Sequence, residues 1–156
     1  MITILAALAI AQTVPQRLSV PLRVLQIDPD ARISIVGSNL TRRAWGSVII
    51  GPREKLDKEL ERLNHDRKTQ AIYSHTAEAY PGEQIQWSVT KNRDSLDVRA
   101  TVVKPGPPSD LTLSWRFTGG PAAVSTSLSL NAGEEALVTA SGNGRKLMLV
   151  VRVDAG

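Results

Sequence analysis

The chain of 156 residues has no cysteine, only six aromatic side chains and only two histidines. Each shortage removes a class of function. Without cysteine there is no disulfide framework, no thiolate nucleophile and no thiolate-ligated zinc. With aromatics at 4% there are few stacking platforms for single-stranded nucleic acid. The two histidines, His65 and His75, stand ten residues apart and outside any metal-ligand spacing. No serine lies in a G-x-S-x-G elbow, and two histidines offer little material for a triad. Catalytic, cofactor-binding and metal-ligating residues are therefore all expected to be absent, and no cofactor is implied.

Charge is mildly one-sided, with 19 Lys and Arg against 15 Asp and Glu, a net of +4. The arginines are scattered (Arg17, Arg23, Arg32, Arg42, Arg43, Arg93, Arg99) rather than gathered in a stripe, so no nucleic-acid partner is expected. Hydrophobic residues at 42% and charged residues at 22% suit one folded domain with a real core.

Long apolar runs are also missing, apart from the first residues. ITILAALAIA, from Ile2 to Ala11, carries no charge and ends in Ala9-Ile10-Ala11, a small-x-small pattern that fits signal-peptidase cleavage. As a helix it would span about 15 Å, too short for a hydrocarbon core of about 30 Å. It lacks a basic residue ahead of it. The expectation is a signal peptide over 1–11 and one domain over 12–156, exported and without a transmembrane helix in the mature chain.

Alternation and punctuation organise the rest. Leu18, Val20 and Leu22 alternate in a strand over about 17–27, and Val24-Leu25 breaks the pattern as a bulge or register change would. Asp28-Pro29-Asp30 is turn chemistry. Short strands are predicted at 32–36 and 45–50. Pro52 then suits a helix start, and Leu56, Leu60 and Leu63 draw a narrow apolar stripe over 53–66. Thr69 to Tyr80 is β-prone. Pro81-Gly82 fits the centre of a type II turn, and Ile85, Trp87 and Val89 share a face.

Further alternating sets follow: Leu96, Val98, Ala100 and Val102; Leu111, Leu113, Trp115 and Phe117; Val124, Thr126, Leu128 and Leu130. KPGPPSD, at 104–110, is a loop between them. Asn131-Ala132-Gly133-Glu134 and Ser141-Gly142-Asn143-Gly144 are turns, and Glu134-Glu135 reads as a turn pair with no acid/base partner. KLMLVVRV, at 146–153, is apolar nearly throughout, as a strand covered on both faces would be. The fold class is α+β, mostly antiparallel hairpins with one amphipathic helix packed on the sheet. Trp45, Trp87 and Trp115 fall in predicted strands. They read as core anchors, with an exposed aromatic surface for a partner as the other reading.

This order of elements resembles the core β-domain of bacterial secretins, the outer-membrane pore subunits of type II and III secretion and type IV pilus systems. The resemblance is carried by the helix end Leu60-x-x-Leu63, the Gly82 turn, the strand pair in DVRATVVKPGPPSDLTLSWRF, the Gly133-Glu134 turn and the closing strand RKLMLVVRV. Secretin cores carry a long amphipathic membrane-spanning hairpin; here 141–145 is a tight turn, so the resemblance implies a reduced form. It implies a non-enzymatic structural or interaction domain in the periplasm or at the outer membrane. Its partners would be envelope proteins or further copies of itself. The other reading is a β-sandwich binding module for a ligand or glycan, which short strands with turns every 8–12 residues also suit.

Overall fold

The computed structural model describes residues 16–155 except 34, 36, 37, 92, 93 and 119–123. The expected signal peptide at 1–11 lies outside the described residues. Among the described residues eleven strands and one helix follow in order: β1 (Leu18–Ile27), β2 (Asn39–Arg43), β3 (Gly46–Pro52), α1 (Arg53–His65), β4 (Thr69–Ala79), β5 (Gln84–Lys91), β6 (Asp94–Lys104), β7 (Ser109–Phe117), β8 (Val124–Leu130), β9 (Glu134–Gly142), β10 (Arg145–Val151) and β11 (Asp154–Ala155). The described residues are mostly antiparallel β-sheet with a single short helix, an α+β fold dominated by its sheets.

The strands form two sheets. The larger runs β4-β1-β10-β9-β3-β2, with β11 extending the β10 side of β1; the smaller is the meander β5-β6-β7-β8. Strand alternation explains how they meet. Leu18, Val20, Leu22 and Val24 of β1, Ala136, Val138 and Ala140 of β9, and Leu147, Leu149 and Val151 of β10 face the small sheet. That sheet answers with Ile85, Trp87, Leu96, Val98, Leu111, Leu113, Trp115 and Leu128 in one buried cluster. The opposite face of the large sheet carries Ile27, Ile49, Leu137, Met148 and Val150, covered by Leu56, Leu60 and Leu63 of α1. The molecule therefore has three layers: helix, large sheet, small sheet.

Strands β9 and β10 are central in the large sheet, which is why they are buried on both faces. The small sheet is covered on one face only and keeps a clean alternation, as in β7, where every second residue is buried. Local chemistry sets the turns. Gly82 adopts φ +86°, and Asn143 and Gly144 adopt φ +53° and +72°, the left-handed pair that a two-residue hairpin demands. The Asp28 carboxylate accepts a hydrogen bond from the Asp30 amide at 2.9 Å and starts the turn after β1.

Three expectations are corrected. At 32–36 the described residues are not in a strand; Ile33 and Ile35 instead pack against the helix-side core, and 34 and 36 lie outside the described residues. Their apolar character serves a covering loop rather than a ladder. β2 is a strand that sequence patterning misses, because all five of its residues are exposed and carry no alternation. Trp45 lies in the turn just before β3, not within the strand. The break at Val24-Leu25 is a register shift, with Val24 opposite Tyr73 and Leu25 opposite Ala71, so the extra residue is Ile72 on β4.

Gly46 is the tightest backbone approach in the large sheet. A Cβ there would stand 1.8 Å from the Thr139 carbonyl oxygen. Gly46→Ala is expected to push β3 away from β9 and lower stability by about 1–3 kcal/mol. The urea midpoint measures this, and an unchanged midpoint would show that the two strands can part without loss.

Candidate functional site

The tryptophans come first, since they were the aromatic candidates for a binding surface. Trp87 and Trp115 are only 3% and 2% exposed, inside the inter-sheet core, so neither reaches a partner. Trp45 is half-buried and meets Trp115 edge to face, with ring centroids 5.2 Å apart. The geometry is a favoured aromatic packing, and all three rings serve the core. The interaction reading of Trp87 and Trp115 is thus overturned by burial.

Free main-chain groups are a second kind of surface. β4 pairs with β1 along its whole length, and among the described residues its other edge has no strand partner. It is the longest of the outer strands, with 11 residues against five in β2, eight in β5, seven in β8 and two in β11. Its sequence, TQAIYSHTAEA, has no Lys, Arg or Pro, the residues that usually blunt an edge. By contrast β2 is short and ends in Arg42-Arg43. The Ile72 bulge interrupts β4 once, leaving Tyr73 to Ala79 as a regular edge. Tyr73 and His75 stack on one face of that segment, 6.3 Å apart and 17° from parallel. His65 ends α1, outside β4, and no group of three or more metal-ligating side chains occurs among the described residues.

A third candidate is a layer of charge between α1 and the large sheet. Glu135 is not in a turn: it lies in β9, points to the helix side and is 1% exposed. Its neighbour Glu134, the first residue of β9, caps the preceding turn, accepting from the Asn131 amide at 2.7 Å. Around Glu135 stand Arg152, at 3.8 Å, and Asp57 of α1, itself held by Arg23 at 3.4 Å and Arg53 at 3.5 Å. Burial, then the neighbouring Asp57 carboxylate, push the Glu135 carboxyl up to about 7, against the opposing pull of Arg23 and Arg152. When Glu135 is ionised its Oε2 meets no donor. When protonated it becomes a donor, and Asp57 is the acceptor beside it. The sequence offered one overlooked sign of this: a glutamate directly preceding the apolar run ALVTA.

Finally, Arg145 bridges the two sheets at one end of the sandwich. Its guanidinium donates to Asp94 at 2.9 Å and to Gln26 at 3.0 Å, and lies over the Phe117 ring at 4.7 Å. The small cleft there, about 200 Å³, is lined by these same groups, which satisfy one another.

These features leave two surfaces with unmet bonding capacity, the β4 edge and the helix-side face of the large sheet. Among the described residues no helix is long and apolar enough to cross a membrane. The chain matches no family model, no curated protein and no solved structure.

Proposed function

We propose that the protein is an exported, non-enzymatic interaction domain, a reduced relative of the secretin core, that joins a bacterial envelope assembly of secretion or pilus type. The observation that supports this reading is the β4 edge: from Tyr73 to Ala79 it is a row of main-chain donors and acceptors with no Lys, Arg or Pro, and its one carboxylate, Glu78, is paired with Arg17 at 3.2 Å. An added strand would gain about 0.5–1.5 kcal/mol net per hydrogen bond, and side chains at alternate positions would supply selectivity. The partner is an envelope protein or a second copy; nucleic acid is not a partner.

The test combines location with the edge itself. Fractionation of the native host is expected to recover the protein from the periplasm or outer membrane, beginning near Gln12 and in a complex larger than one chain. Ser74→Lys with Thr76→Lys places two charges at exposed positions of β4. The double variant is expected to fold normally and run as a monomer. A cytosolic monomer retaining Met1 would sink the reading, and a complex untouched by the two lysines would remove β4 from it.

A second reading has one observation in its favour. Two sheets packed face to face, with the helix outside them, are the architecture of a β-sandwich binding module. In that case the ligand is not held by Trp87 or Trp115, which are enclosed.

A further inference from the structure

The helix-side face of the large sheet changes character beyond the end of α1. Strand register places Arg42 opposite Ser47, and Ser47 opposite Thr139, so three polar side chains form one row across β2, β3 and β9. Neighbouring members of such a row are about 4.5–5.5 Å apart at Cβ. The next row toward the helix, Leu40, Ile49 and Leu137, is apolar. Lys146 of β10 and Arg32 of the loop after β1 complete a cleft of about 450 Å³ over the polar row. The loop is tied down by Arg62, whose guanidinium donates to the Arg32 carbonyl at 3.1 Å, and by Ala31, which is buried.

Two features make this cleft unlike the rest of the surface. Its charged lining is all of one sign: Arg32, Arg42 and Lys146, with no carboxylate among the lining residues. Every ion pair found elsewhere in the described residues joins other side chains. The second feature is independent of charge. Thr139 is 2% exposed, lines the cleft, and its Oγ1 has no hydrogen-bond partner. A buried hydroxyl without a partner is costly, and clustered cations without a counter-charge repel. One kind of ligand relieves both at once: an oxyanion, which brings acceptor oxygens and negative charge.

We propose that this cleft is a binding site for a phosphate-class oxyanion, with Arg32, Arg42 and Lys146 supplying charge and Thr139 and Ser47 donating hydroxyl hydrogen bonds. The apolar wall of Leu40 and Ile49 beside it gives room for an apolar group attached to the phosphate. The site does not depend on the β4 edge or on any envelope assembly, since it lies on other strands.

The test is NMR titration of the full chain with inorganic phosphate and, separately, hexyl phosphate at matched ionic strength. Saturable shifts centred on the Ser47 and Thr139 amides are expected. Thr139→Val keeps the shape and removes the hydroxyl, and is expected to weaken binding roughly tenfold. Arg42→Gln with Lys146→Gln is expected to abolish saturation. Arg99→Gln with Arg116→Gln removes the same charge from the small sheet and is expected to leave affinity within about twofold, because both arginines are exposed on the outer face of that sheet, with the inter-sheet core between them and the cleft, and solvent screens them. Tighter binding of hexyl phosphate identifies a phosphate borne on an apolar chain, and equal binding identifies the free anion. Absence of saturable shifts with both probes overturns the site. So does an affinity that Arg42→Gln with Lys146→Gln leaves unchanged, or one that falls equally in the small-sheet control.

Discussion

Trp115→Ala is expected to lower stability by about 3–5 kcal/mol, the range for emptying a large buried aromatic site. Trp115 sits on an inner strand of the small sheet, opposite Val98 on one side and Val124 on the other, and its ring meets Trp45 across the interface between the sheets. Both sheets therefore lose contacts when it is removed, and neither can close the gap without breaking its own ladder. Folded domains rest on about 5–15 kcal/mol, so the variant would be close to unfolding. Trp115→Phe is the informative companion. The indole Nε1 has no hydrogen-bond partner, so phenylalanine forfeits packing volume but no hydrogen bond and is expected to cost well under half as much. Urea unfolding followed by far-UV circular dichroism measures both. A loss below about 1 kcal/mol for Trp115→Ala would mean that the two sheets do not share one core.

The second large effect is a dependence of stability on pH that runs opposite to that of an ordinary ion-paired carboxylate. The Glu135 carboxyl is raised from 4.5 to about 7 in the folded protein. Between those values the folded state holds a proton that the unfolded state has released, so stability falls as pH rises through this window. The stabilisation is fully present below about 4.5, is lost progressively up to about 7, and changes no further above it. The size is about 3 kcal/mol, at 1.36 kcal/mol per pKa unit. Glu135→Gln removes the titration while keeping the shape. Its stability is expected to be nearly flat between pH 5 and 8, and at pH 8 it should at least equal the wild type, since an amide needs no charge compensation. Equilibrium denaturation across that range checks this. A wild-type protein that gains stability steadily from pH 5 to 7 would show that Arg152 and Arg23 outweigh burial and Asp57, and that Glu135 is an ordinary ion-pair member.

Much of the architecture was legible before any coordinates. The leucine stripe at Leu56, Leu60 and Leu63 is the buried face of α1, and the small sheet follows its alternation strand by strand. The apolar run expected as a strand over 146–153 is β10, Arg145–Val151, flanked on both sides as its composition implied, with Arg152 and Val153 past its end. These readings succeed because they depend on periods of 3.6 and 2, which local sequence expresses directly. β2 escaped because an exposed strand held by main-chain bonds needs no pattern. The loop at 32–36 misled because apolar residues that cover a core look the same as apolar residues inside a ladder.

Glu135 and Thr139 show the deeper limit. In sequence each is one polar residue beside apolar neighbours, and nothing within the strand says what stands opposite. Their surroundings come from β1, β3, β10, α1 and the loop after β1, elements far removed along the chain. By itself the sequence determined the elements, most of their turns and which residues share a face, since these follow from backbone geometry and alternation. Only the tertiary structure decided that the strands divide into two sheets, that the helix covers the outer face of one, and that a buried hydroxyl there lies among cations with no carboxylate beside them. Strand order and layer packing are set by contacts between distant segments, and those are energies of the assembled core rather than of any stretch of chain.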